Sequence, residues 1–231
     1  MTPLKKTARI AGLWYLSFSL GPFYLIYVPS KTIVQNNAAA TAASVIAHET
    51  LFRLGMLAET VGAVTFIALS LALYRLFEHV GRHRARQLVA LVLVSSALSL
   101  ASVLFNAAAL LVFRRDGGVV FDTPMREAMG MLLTRIHGQA SGVNEMFWGL
   151  WLLPFGSLVV SSRFLPRWLG YWLLLDGVAW VAMSVAWFLV PQYNDALFKY
   201  LQPVFLVELV AMLWLLIIGA KENRPIVAAT K

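Results

Sequence analysis

The sequence predicts an all-α protein, a polytopic bundle of six transmembrane helices. Three observations predict it. The chain is 60% hydrophobic, where soluble domains hold about 45–50%. Only 13% of its residues are charged, roughly half the share of a soluble domain. The apolar residues also fall into six runs, each close to the roughly 20 residues that a helix needs to cross a hydrocarbon core.

The runs are Ile10–Val28, broken at Gly21-Pro22, then about Leu51–Phe77, Leu88–Phe113, about Asn144–Val160, Trp168–Val190 and about Val204–Ala220. The connections between them are Pro29–Thr50, Glu78–Gln87, Arg114–Val143, Ser161–Arg167 and Pro191–Pro203. None has the length of a soluble domain, so residues 1–231 read as one integral membrane domain. The first run has 19 residues, longer than the apolar region of about 7–15 in a secretory signal. It is expected to be kept as a span.

Charge gives the orientation. Twelve Lys and Arg fall on one side: Lys5, Lys6, Arg9, Arg75, Arg82, Arg84, Arg86, Arg163, Arg167, Lys221, Arg224 and Lys231. Six fall on the other: Lys31, Arg114, Arg115, Arg126, Arg135 and Lys199. Cytoplasmic loops carry the excess, so both termini are expected in the cytoplasm. The net charge of +8 then reflects membrane topology and contact with anionic headgroups, not nucleic acid binding. The chain has no cysteine, which removes disulfides, thiol catalysis and Cys-ligated metals.

Two outer segments read as helix. Thr41–Glu49 holds no Gly or Pro and is expected to extend the second span outward, with Thr41 as cap. Thr123–His137 opens on Thr-Pro and repeats Met129, Leu132, Leu133 and Ile136 at helical spacing. It is expected to be a short outer amphipathic helix. Trp14, Tyr15, Tyr74, Trp168, Trp172 and Trp214 toward the inner ends, and Tyr24, Tyr27, Tyr193 and Tyr200 toward the outer ends, read as interfacial anchors.

The candidate functional residues are those that carry charge into the spans, where ionisable groups face a bundle interior or a water-filled cavity. Gly55, Glu59 and Gly62 share one stripe of the second span, and Ser95, Ser99, Ser102 and Asn106 share one stripe of the third. Glu49 and Arg53 are i, i+4 partners. Together with Glu145, Glu208, His48 and His137, these residues define an outward-facing polar pocket: Glu49 and Arg53 at the rim, Arg53 as counter-ion or anion clamp, Glu59 at the floor, Glu59 and Glu208 as proton or cation sites, Asn106 in the outer half of the third span and Glu145 at the outer mouth of the fourth. Asp176 lies apart, nearer the inner side. Carboxylates desolvated together cannot all stay ionised, so such a pocket holds protons or a cation. The same residues equally fit a set of interhelical hydrogen bonds that fix packing.

Signatures of catalysis are missing. His48-Glu49 lacks the second His of a zinc-protease helix, and there is no Walker loop or dinucleotide fingerprint. No cofactor and no metal is implied. The expected partners are the lipid bilayer and a small-molecule or cation ligand, with no nucleic acid. Two further readings stay open: a structural or sensory protein working through partner contacts at Thr123–His137 and the basic inner loop, and an intramembrane enzyme acting on lipid near His48 and His137.

Several stretches resemble one family. They are Ala47-His48-Glu49-Thr50-Leu51-Phe52-Arg53-Leu54-Gly55, Leu73-Tyr74-Arg75-Leu76, Phe147-Trp148-Gly149-Leu150-Trp151-Leu152-Leu153-Pro154-Phe155-Gly156, and Phe164-Leu165-Pro166-Arg167-Trp168-Leu169-Gly170. The chain is similar to the bacterial DUF4386 family of multi-pass membrane proteins, over nearly its whole length. The resemblance implies a bacterial inner-membrane protein and supplies no reaction, cofactor or catalytic residue. Two positions depart from it: Ser44 stands where an Asn is expected, and Asp176 where the family is apolar.

Overall fold

The computed structural model describes residues 3–114 and 121–220, and among them the chain is helical with no strand. Arg115, Lys221, Arg224 and Lys231, which contribute to the charge asymmetry, lie outside the described residues, as do both chain ends. Four helices are long and apolar enough to cross a membrane: Glu49–Arg114, Thr123–Ser162, Arg167–Leu189 and the stretch Pro191–Ile218.

The first run forms a broken helix. α1 covers Pro3–Tyr15 and gives way to a 3-10 turn at Leu16–Leu20 and a π turn at Phe23–Tyr27, before α2, Val28–Thr32. Pro22 has no N–H to give and Gly21 weakens the helix, so the break expected at Gly21-Pro22 spreads over both turns. α3, Ala38–Ala47, is capped by Asn37, whose Oδ1 accepts from the Ala40 N–H. Thr41 is therefore not a cap. It lies inside α3, where its hydroxyl bonds both the N–H and the carbonyl of Val34. α3 also does not run on into the second span: the backbone leaves helical geometry at His48 (φ −114°, ψ 33°).

α4, Glu49–Arg114, comprises 66 residues with one non-helical residue, Gly81 (φ −170°, ψ 85°). The chain reverses there. Arg114 reaches Glu49 at 2.6 Å and Ser102 reaches Glu59 at 2.9 Å, and both pairs are placed symmetrically about residue 81. α4 is thus two antiparallel arms, the second and third apolar runs, and the connection expected over Glu78–Gln87 shrinks to a single residue. Its Arg, His, Ala and Gln residues form helix well. Arg84 stays in that helix and its Nη1 donates to Ser157 Oγ on the next element at 2.6 Å.

α5, Thr123–Ser162, is one continuous helix of 40 residues, about 60 Å long at 1.5 Å per residue. The segment expected to be a separate outer helix, Thr123–His137, is its first third. Nothing between His137 and Asn144 interrupts the helix, because Gly138 and Gly142 are tolerated there at a modest propensity cost. The N-cap is Asp122, not Thr123. α5 lies along both arms of α4. Gly130 packs on Phe113, Asn144 bonds Ser95 and Trp151 meets Phe66 with ring centroids 5.1 Å apart.

α6, Arg167–Leu189, returns antiparallel to α5 through two reciprocal glycine contacts one heptad apart. A Cβ on Gly149 would stand 2.4 Å from the carbonyl oxygen of Gly177, and one on Gly156 would stand 2.7 Å from that of Gly170. Small residues let membrane helices approach this closely and gain van der Waals contact. α7, Asn194–Leu213, ends in a π turn, Trp214–Ile218. It begins ten residues before the expected Val204, because Asn194–Gln202 is polar enough to escape a hydropathy count yet helical. The core is aromatic: Tyr15, Phe66, Phe77, Trp151 and Phe155 are buried together.

Replacing Gly149 or Gly177 with Leu is expected to lower stability by about 1–3 kcal/mol through overpacking, read as a lowered Tm of the purified protein. Gly138→Ala is the control, since a Cβ there meets nothing within 4 Å, and it should leave Tm unchanged or raise it.

A buried Glu59–His137 pair as the candidate functional site

α4 and α5 meet along a polar seam at the Glu49 end of the bundle. Glu59 lies ten residues into the first arm, about 15 Å from its start. Its stripe partners Gly55 and Gly62 let the first run close over it: Val28 packs on Gly55 and the Tyr24 ring on Gly62. Glu59 is therefore buried at 5% exposure. Its Oε1 accepts from Ser102 Oγ on the second arm at 2.9 Å, and its Oε2 lies 2.9 Å from His137 Nε2 on α5. One carboxyl thus joins three helical segments.

The Glu59–His137 contact can hold its proton in two ways. Either Nε2–H donates to an ionised carboxylate, or a carboxylic O–H donates to neutral Nε2. The side chains are 6% exposed for Glu59 and 12% for His137, so the imidazole is the more solvent-reachable partner. In the bilayer centre a lone carboxylate costs about 3 kcal/mol on insertion scales. A partner able to carry the opposite charge removes most of that cost.

About two helical turns further along α5, a neutral seam continues. Ser95 Oγ donates to Asn144 Oδ1 at 2.8 Å, and Asn144 Nδ2 donates to Ser99 Oγ at 2.9 Å. The serine stripe read from the sequence is thus answered by one Asn from α5. Asn106, the fourth residue of that stripe, is half-buried and makes no hydrogen bond among the described residues.

A family model described as a domain of unknown function, DUF4386, matches residues 10–219. The chain belongs to the DUF4386 family. No curated protein and no solved structure matches it.

The other candidates distribute over this DUF4386 fold in three places. At the rim, Glu49 Oε1 accepts from Arg53 Nε at 2.7 Å and from Arg114 Nη1 at 2.6 Å. The Arg53 guanidinium, with Arg114 on the other arm, holds the Glu49 carboxyl below its ordinary range. This clamp ties the two free ends of α4 together. His48 is exposed at the end of α3, its Nδ1 turned back on the Ser44 carbonyl at 3.0 Å. Glu145 is half-buried beside Asn144, and its Oε2 is shielded without a hydrogen-bond partner among the described residues.

Glu208 does not join Glu59. Because α7 starts at Asn194, Glu208 is about 21 Å along that helix, and it accepts from Tyr15 Oη at 2.9 Å. A groove of about 430 Å³ along α7, from Phe198 to Leu209, takes in neither carboxyl. Among the described residues no group of three His, Asp or Glu could hold a metal.

Tyr15 is the functional contact that the sequence concealed. Read as an interfacial anchor, it is 0% exposed. The available signal was periodicity: Ala8, Ala11, Gly12 and Tyr15 recur at helical spacing and are all buried. Tyr24, also read as an anchor, packs over Gly62 within electrostatic reach of Glu59.

The rim clamp makes a pH prediction. Glu49 is held below its ordinary value, so the clamp is fully present above about pH 4.3 and is lost as pH falls through the lower, folded value. The cysteine-free chain accepts spin labels at Thr50→Cys and Leu111→Cys, both exposed positions. Their distance distribution should stay narrow from neutral pH down to about 4.3 and broaden below it. Glu49→Gln should be broad at every pH.

Proposed function

We propose that this chain is a six-pass integral membrane protein of the bacterial inner membrane, with both termini cytoplasmic, that binds and releases a proton at Glu59–His137. The six passes are the broken first run, the two arms of α4, and α5, α6 and α7. The arms support this count, since each is about 48 Å long at 1.5 Å per residue, more than a hydrocarbon core of about 30 Å. The excess of Lys and Arg on one side supports the orientation. The Glu49 end then faces outward, and Thr123–His137 is the outer part of a long pass.

The observation that carries the functional reading is the Glu59–His137 contact at 2.9 Å inside a membrane-spanning seam. Intramembrane carboxylate–imidazole pairs serve as proton relays. Here the more exposed His137 is the entry and the less exposed Glu59 the store. Proton binding of this kind couples to the movement of a small molecule or a cation when loading changes how the helices pack. Protonating the pair weakens the attraction that holds α4 to α5.

A second reading rests on a specific observation. Ser102 and His137 engage both Glu59 oxygens, which suits a purely structural fastening in a protein that works through partner contacts. Proton uptake after a pH jump, measured with a solution indicator on protein reconstituted in vesicles, separates the two. The proton reading expects Glu59→Gln and His137→Gln each to take up about one proton per chain fewer than the unmodified protein. Equal uptake by all three across the folded pH range would leave the pair a fastening.

A further inference from the structure

A second acidic site lies in the middle of the bundle, on residues that the Glu59–His137 seam does not use. α1 runs antiparallel to the end of α7: Arg9 Nη2 donates to the Ile217 carbonyl at 3.0 Å, and Gly12 lies against the Leu216 backbone. That register brings Tyr15 to Glu208, where its hydroxyl donates to Oε2 at 2.9 Å. α6 and α7 are likewise antiparallel. Trp180 stacks on Phe205 with centroids 4.3 Å apart, and Trp168 meets Trp214 at 6.0 Å. These two contacts bracket Asp176 and set it opposite Glu208.

Asp176 is 0% exposed and Glu208 is 7% exposed. Neither Asp176 oxygen has a hydrogen-bond partner among the described residues. The groups acting on the two carboxyls are each other and Tyr15 from α1, while the Trp180 indole one turn beyond Asp176 on α6 is buried beside them with its N–H unpaired among the described residues. The Trp151 ring of α5 closes the other side of Tyr15 at 6.1 Å. Among the described residues no Lys, Arg or His forms an ion pair with either carboxyl. Two negative charges so close together, shielded from water and without a cation, cannot coexist.

We propose that Asp176 and Glu208 form a second proton-binding site, in which Asp176 carries the proton and Glu208 keeps the negative charge. The division follows from the partners. The Tyr15 O–H donates to Glu208, and a donor favours the ionised form of the group it faces. Among the described residues nothing donates to Asp176. A proton also suits the lining better than a metal ion does. Trp151, Trp180 and Phe205 offer no oxygen, while a hard cation needs about six oxygen ligands.

The site's place in the fold fits a working role. Tyr15 is the last residue of α1, at the point where the first run leaves regular helix. Interrupted membrane helices line mid-bilayer binding sites in transporters. Any change in the pitch of Leu16–Tyr27 moves the Tyr15 hydroxyl relative to Glu208 and with it the preference for charge on that carboxyl.

The test is infrared spectroscopy of the full chain in phosphatidylcholine vesicles at neutral pH, reading the carbonyl stretch of protonated carboxyls. The unmodified protein should show such a band. Asp176→Asn should lose one protonated carboxyl per chain, and Glu208→Gln should shift the band's frequency by removing the adjacent charge. Glu59→Gln should leave the band in place, which keeps this outcome separate from that of the Glu59–His137 reading. A band absent from the unmodified protein, or retained in full in Asp176→Asn, overturns the proposal. So does a band that Glu208→Gln leaves unmoved, one lost in Glu59→Gln, or one that sodium chloride abolishes where choline chloride does not. Should Asp176→Asn not fold, the Glu208→Gln shift and the salt comparison decide alone.

Discussion

Hydrocarbon offers a polar side chain no water, so each one carried into a membrane must find its partner on another helix. That constraint explains why α5 is where it is. Its His137 meets Glu59 and its Asn144 meets Ser95 and Ser99. Near its far end, Ser157 and Ser161 accept from Arg84. These contacts, spread along one continuous helix, fix its axial position against the α4 hairpin. A slide of one turn would orphan every one of them. The glycine contacts then place α6 on the opposite side of α5, and α6 in turn sets the register of α7 through the tryptophan stacks. The helices that carry Asp176 and Glu208 are positioned, step by step, from the polar seam.

Much of this was legible in the sequence where the signal is a property of one helix. The apolar runs sit inside the observed helices, with four of those helices long and apolar enough to cross a membrane. The Gly55-Glu59-Gly62 stripe faces protein, and the serine stripe of the third run finds a partner. Helix ends were less legible because hydropathy measures what lipid tolerates, not what stays helical. Asn194–Gln202 and Arg82–Gln87 are polar, yet nothing in them except the reversal at Gly81 stops a helix. With α7 extended to Asn194, Glu208 lies about 21 Å along that helix, where it meets Tyr15 and not Glu59. Which helix faces which depends on rotation and register between segments far apart in the chain. A single sequence carries little of that: Glu59 and His137 were placed in one group without their direct contact, and the meeting of Tyr15 with Glu208 was not foreseen.

The two sites solve the cost of a buried carboxyl by different physics. Glu59 is given a base, so the pair as a whole is neutral with the proton on either partner. Glu208 is given a donor, the Tyr15 phenol, and its neighbour is a second acid. On the reading proposed above, the first arrangement tolerates a proton arriving, with one positive charge shared with a largely buried imidazole. The second tolerates at most one negative charge, so in that proposal one proton stays. The Tyr24 and Tyr15 rings belong to the broken first run, Tyr24 packed on Gly62 and Tyr15 bonded to Glu208.

The seam contains its own comparison. Ser95, Asn144 and Ser99 fasten α4 to α5 with neutral groups, and membrane hydrogen bonds of this kind contribute about 0.6–2 kcal/mol without any risk of stranding a charge. A Gln at residue 59 would accept from Ser102 through its carbonyl oxygen and donate through its amide N–H to a neutral His137 Nε2, which fastens the same helices. The chain instead places a carboxyl and an imidazole two turns from a neutral junction that already does the mechanical work. An ionisable pair costs more to insert than an amide, and fastening alone does not require it. The property it does add is a proton that can come and go, and that difference is the physical ground for reading Glu59–His137 as a working site.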